Sequence, residues 1–168
     1  MRKLLLMVFV VTTLCLVSSG AVADECKQVF ARGGGGDFYS GCSYDGVEYL
    51  WCADIPMQGN LRGTWHIYSS PEWNGWETLT VPDDALGIDG WDVWGFWNLS
   101  VFETKHGELL TQGNDFLNLN AYFTYGVFSS TFFVIDGKGE FEGATGWLGG
   151  VGNELTGLGI LWGEVCTP

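Results

Sequence analysis

Apolar and polar residues alternate along this chain over short runs, and Gly, Asn and Asp break those runs. Leu61, Trp65 and Ile67 alternate with Arg62, Thr64, His66 and Tyr68. That two-residue period belongs to a strand with one buried face. Residues 93–104 are apolar on both parities, with Val93, Trp97, Leu99 and Val101 on one and Trp94, Phe96 and Phe102 on the other. Such a strand is covered on both sides, or turns one side to a partner. The pattern predicts strands at 27–32, 38–44, 47–55, 61–69, 93–104, 107–112, 116–124, 127–136, 139–147 and 155–165. No stretch sustains a 3.6-residue apolar period, so almost no helix is expected.

Turn chemistry agrees. Asp45-Gly46, Lys105-His106-Gly107 and Asp136-Gly137-Lys138-Gly139 separate predicted strands. Asp-Gly pairs suit tight hairpins because glycine accepts positive φ at no steric cost. Residues 70–92 carry two prolines, many acids and no clean period, and read as one long loop. Many short strands joined by tight turns make an all-β barrel or sandwich, and a barrel leaves no edge strand exposed.

The N-terminus changes the picture of where the chain works. Arg2 and Lys3 precede an apolar run from Leu4 to Val17, and Ala21-Val22-Ala23 supplies a small-x-small cleavage site. Residues 1–23 are therefore expected to be a cleaved signal peptide, leaving a single exported domain over 24–168. Removing them leaves five basic residues (Lys27, Arg32, Arg62, Lys105, Lys138) against twenty acidic ones, a net charge of −15. This balance opposes binding to nucleic acid or anionic membranes, and no later apolar run is long enough to span a bilayer. Four cysteines remain: Cys26, Cys42, Cys52 and Cys166. An even count in an exported chain argues for two disulfides. Three pairings are possible. The short loop favours Cys42–Cys52, with Cys26–Cys166 joining the ends. With no CxxC pair, and only His66 and His106 to assist, no metal site is expected. No cofactor motif appears.

Candidate chemistry rests on carboxylates and tryptophans. Glu103 shares strand parity with Trp97 and Val101, Asp54 lies on the strand with Trp51, and Asp115 follows Gly113-Asn114, which reads as a turn. A carboxyl group inside an apolar barrel would have its pKa raised toward neutrality. Seven of nine tryptophans fall between 51 and 97. Trp73, Trp76, Trp91, Trp94 and Trp97 lie in or beside the long loop, where aromatic faces would rim a mouth or pack the loop down. No GxSxG, HExxH or Cys–His nucleophile arrangement occurs. The acidic cluster Asp83, Asp84, Asp89 and Asp92 lacks EF-hand spacing. Asn98-Leu99-Ser100 is a glycosylation acceptor only if the source is eukaryotic and the site is exposed.

Gly107–Gly113, Ser129–Ile135 and Asp136–Gly146 resemble the allene oxide cyclase barrel family, its secreted relatives and, more distantly, the dirigent proteins. The segment reading GxFxGxxG carries Gly139, Phe141, Gly143 and Gly146. Cys26, Cys42…Cys52, Gly63-Thr64-Trp65 and Gly163-Glu-Val-Cys166 follow the order seen in secreted relatives. The resemblance implies a single antiparallel barrel of about eight strands, wide enough for side chains or one small ligand. It assigns no catalytic residue. The family's carboxylate lies on an early strand, and none of Glu25, Asp37, Asp45 and Glu48 sits in a matching context.

Three functions are consistent with these residues. The first is a secreted barrel that binds a small apolar or aromatic ligand at its mouth. The second is a cyclase or isomerase acting by cavity shape and one buried carboxylate. The third is an extracellular interaction protein with no small ligand. An enzyme needs an interior carboxylate beside an open cavity, a binder needs the cavity but not the acid, and an interaction protein can combine a side-chain-filled barrel with an exposed aromatic patch.

Overall fold

The computed structural model describes residues 25–69, 77–80, 91–120, 126–153 and 156–168, with side chains outside the description at 77–80, 91–96 and 117–120. The described residues form ten strands and no helix: β1 (Glu25–Gly33), β2 (Asp37–Tyr44), β3 (Val47–Gly59), β4 (Gly63–Ser69), β5 (Glu77–Thr80), β6 (Trp91–Thr104), β7 (Gly107–Asn120), β8 (Gly126–Gly139), β9 (Thr145–Asn153) and β10 (Leu158–Thr167). Eight of them hydrogen-bond in the antiparallel order β1-β10-β9-β8-β7-β6-β4-β3. Ala31–Gly33 of β1 then pair with Met57–Gly59 of β3 and close the barrel. β2 lies outside this ring on β3, and β5 adds to β6.

Disulfides Cys26–Cys166 and Cys42–Cys52 are both formed. Two such bonds fit an oxidising, extracellular environment. The first links directly opposed residues of β1 and β10. The second staples the β2–β3 hairpin, whose turn places Asp45 at φ 49° and Gly46 at φ 79°, the paired positive angles of a type I′ turn.

The strands run longer than the sequence pattern suggests. Gly113-Asn114 is no turn, and the expected strands 107–112 and 116–124 are one continuous β7. β8 continues through Asp136–Gly139, so the turn falls at 140–143 and the next strand starts at Thr145 rather than 139. Within the expected loop 70–92, residues 77–80 form β5, and Trp91 and Asp92 already belong to β6.

Alternation fills the barrel. Leu61, Trp65, Ile67, Phe102, Leu109, Phe128, Phe132, Leu148 and Leu161 are buried in one cluster. Trp65 sits at its centre, stacked on Phe102 with ring centroids 5.5 Å apart and edge-on to Phe132 at 5.6 Å. Over the described side chains of 93–104 the outward parity is covered at one end only, since Trp97 is exposed. Val101, on the outward side of β6, is buried. The β2–β3 hairpin reaches across this side: Tyr44 and Tyr49 each pack 5.2 Å from Tyr68, and Tyr44 comes near the Lys138 ammonium of β8. Burial among these rings, ahead of the nearby acidic groups, pushes the Tyr68 hydroxyl up to about 12.

Candidate functional site

The barrel interior is not uniformly apolar. Inward positions of β6, β7 and β8 carry Asn98, Ser100, Thr111, Asp115 and Ser130, all buried. Register brings them together: Asp115 is directly opposite Ser130, and Asn98 is opposite Gly113, two residues from Asp115. Ser130 Oγ donates to Asp115 Oδ1 and Asn98 Nδ2 donates to Asp115 Oδ2. Ser100 Oγ in turn donates to Asn98 Oδ1 at 3.0 Å, which fixes the amide's orientation.

Asp115 is 4 % exposed, and burial pushes its carboxyl up to about 7, although the Ser130 and Asn98 hydrogen bonds pull the other way. Desolvation wins because two neutral donors cannot replace the hydration of a full charge. The pair of donors suits both protonation states unequally. Asn98 can only donate through its amide nitrogen, whereas the Ser130 hydroxyl can turn to accept a hydrogen bond from the neutral acid.

Around this carboxyl stand Phe38 and Trp51 from the hairpin, Ile55 from β3, Trp65 and Ile67 from β4, and Phe128 from β8. They enclose a cavity of about 10 Å³, close to the space a single water molecule requires. The buried Trp65 Nε1 faces no hydrogen-bond partner among the described residues, and an unpaired buried N–H of this kind costs on the order of 1–3 kcal/mol. The Asp115 carboxyl and the Trp65 ring thus line one small aromatic chamber.

The other predicted carboxylates lie elsewhere. Asp54 and Glu103 are on the outside of the barrel, joined through His66: Nδ1 lies 2.7 Å from Asp54 Oδ1, and Nε2 lies 3.2 Å from Glu103 Oε2. Tyr39 donates its hydroxyl to the same Asp54 oxygen at 3.1 Å. Trp97 is half-exposed on the outward side of β6, opposite Asn114. Trp91 and Trp94 are placed on β6 by their backbone, while their side chains, together with Trp73, Trp76, residues 1–23 and the acidic cluster at 83–89, lie outside the described residues.

Two members of the site were not visible as such in the sequence. Asn98 reads as a glycosylation acceptor, yet it is buried and its amide is engaged with Asp115. Ser130 looks like an ordinary strand serine. Their parity with Phe102 and Phe132 was the available signal. Thr111 and Gly113 on β7 are too small and polar to advertise an inward face.

No family model, curated protein or solved structure matches the chain, so the reading of this chamber rests on its geometry.

Proposed function

We propose that this protein binds a small apolar or aromatic molecule at the end of its barrel, with Asp115 and the Trp65 N–H as polar contacts. The observation that carries the reading is a lone carboxyl, pushed up to about 7, buried among Phe38, Trp51, Trp65 and Phe128. Apolar walls with a few convergent polar groups are the usual make-up of a small-molecule site. The cavity of about 10 Å³ admits nothing larger than water, so a ligand enters as the exposed Phe38 and its neighbour Trp51 swing aside. Phe38 rides on β2, outside the ring of the barrel, and Trp51 on the part of β3 that pairs with β2 alone.

A second reading is favoured by the same pKa. A carboxyl near 7 gives and takes protons efficiently at neutral pH, which suits a cyclase or isomerase of the kind the sequence resemblance implies. In that reading Asp115 is the proton donor or acceptor and the aromatic walls set the shape of the reacting molecule.

N-phenyl-1-naphthylamine, a neutral aromatic probe that brightens on leaving water, tests the site. Binding is expected to weaken several-fold as pH rises through about 7, because ionised Asp115 would face an apolar molecule. Asp115→Asn should remove that pH dependence, and Trp51→Ala should weaken binding at every pH. Probe affinity indifferent to pH and to both substitutions would place the probe elsewhere and end the proposal.

A further inference from the structure

The outside of the barrel carries a second feature that the chamber does not use. Phe30 on β1 lies directly opposite Trp162 on β10, and Trp147 on β9 lies directly opposite Phe133 on β8. These two cross-strand pairs sit on four successive strands, and all four rings are open to solvent: Phe30 51 %, Trp162 38 %, Trp147 44 % and Phe133 59 % exposed. Neighbouring strands lie ~4.8 Å apart, so the stripe spans on the order of 14 Å. Between the pairs stands Gly149, opposite Trp162. A Cβ there would meet Cζ2, Cε2 and Nε1 of that indole at 3.1–3.4 Å. The absent side chain lets the Trp162 ring lie down across the neighbouring strand.

The polar groups beside the rings narrow the ligand. Glu164 lies opposite Trp147 and accepts a hydrogen bond from Gln28 Nε2 at 2.9 Å. Gln112 lies opposite Phe133, and Thr131 opposite Gly149. A single cation, Arg32, borders the stripe on β1, two residues from Phe30, while the whole chain carries a net charge of −13, which opposes polyanions and anionic lipid. Planar amide and carboxylate groups set beside exposed aromatic faces match one chemistry well. A sugar ring offers a C–H face that stacks on an indole or phenyl ring and a rim of hydroxyls that pairs with groups such as Gln and Glu. Val151 and Ile135 extend the exposed apolar face, but Thr131, Gln112 and the Gln28–Glu164 pair break it, and two copies of so acidic a chain repel each other.

We infer that the Phe30–Trp162–Trp147–Phe133 stripe is a binding platform for a neutral polysaccharide, independent of the chamber around Asp115. Its length fits a run of several sugar units rather than a single one.

The disulfide-bonded protein, run in native gels containing hydroxyethylcellulose, laminarin or galactomannan, tests this. Retardation is expected in at least one gel and should weaken about tenfold or more in Trp147→Ala and in Trp162→Ala. Phe116→Ala, on the outward side of β7 beyond the stripe, should migrate like the parent. Trp147→Tyr keeps a stacking ring and should retain most binding, which guards against loss of fold as the cause. Three outcomes overturn the platform. They are no retardation in any of the gels, retardation untouched by both alanine variants, or a stripe that instead serves another occupant. The last would show as a dimer in sedimentation that Trp147→Ala splits, or as capture by phosphatidylcholine vesicles that it abolishes. Probe binding at the chamber should be unchanged in the stripe variants, so the two sites fail or stand separately.

Discussion

At the scale of single residues, Asp115 sets the sharpest expectation. Its folded pKa is about 7 against an ordinary value of 3.8, so the folded state holds this proton more tightly than the unfolded chain does. Below pH 4 both states are protonated and the carboxyl costs nothing. Between about pH 4 and 7 the unfolded chain releases the proton first, and stability falls by up to ~1.4 kcal/mol per pH unit. The loss totals on the order of 4 kcal/mol by pH 8 and then stops. Asp115→Asn removes this term, so its urea-unfolding free energy should gain on the parent by roughly that amount between pH 4 and pH 8. Parallel pH profiles for the two proteins would mean that the carboxyl is not desolvated as described. This residue was hard to read from sequence for a physical reason. Gly113-Asn114 carries the chemistry of a turn, and Leu109, Thr111, Gly113 and Asp115 form an inward face with only one large apolar member. Glu103 lies on a strand apolar on both parities and Asp54 on one without clean alternation, so parity could not place them, and both prove to face outward, paired with Thr64 and His66.

At the scale of elements, alternation and turn residues made most strands legible, and length was the weak point. The Asp45-Gly46 hairpin and the inward set Leu61, Trp65 and Ile67 stand as the pattern predicts. The β8–β9 connection was displaced because Asp136-Gly137 looks like a stop, whereas the ladder carries on to Gly139. The glycines of this connection differ in what they do. Gly146 has φ +137°, and a Cβ there would stand 2.1 Å from the Glu164 carbonyl oxygen of β10. Backbone cannot yield at that distance without breaking the β9–β10 ladder. Gly143 has φ +73° but only the ring of Pro168 nearby, at 3.1 Å. Its penalty is the left-handed backbone alone, about 1–2 kcal/mol for an ordinary residue. Gly143→Ala should therefore lower stability by about that much, and Gly146→Ala by clearly more, beyond ~3 kcal/mol. Thermal melts of the two variants decide it, and equal losses would show that strain rather than the close approach to β10 governs both.

At the scale of the whole molecule, closure of the barrel is uneven. β1 pairs with β10 over nine residues, from Glu25 to Gly33, but with β3 only over Ala31–Gly33. The ring is thus sealed by a short seam on one side of β1 and by a long ladder on the other. Cys26–Cys166 reinforces the long side at the far end from the seam, joining the first strand to the last across 140 residues of chain. The even cysteine count and the nearness of the ends in a barrel made this pairing favoured from sequence, whereas the narrow β1–β3 seam had no signal in the residues. Cys42–Cys52 spans 10 residues and constrains only the hairpin. In the chain-entropy account a cross-link stabilises by limiting the unfolded chain, more so for longer loops, which gives about 5 kcal/mol for the first bond and about 3 for the second. The double variants Cys26→Ser/Cys166→Ser and Cys42→Ser/Cys52→Ser separate the two contributions in urea unfolding. The first should lose more, and its loss should include the register of β1, read as faster amide exchange along 25–33. The second should leave that exchange unchanged while loosening Phe38 and Trp51 on the hairpin, which would ease probe entry to the Asp115 chamber. If the hairpin bond proves the costlier to remove, the β2–β3 unit folded over the barrel wall, rather than the joining of the chain ends, is what holds this protein together.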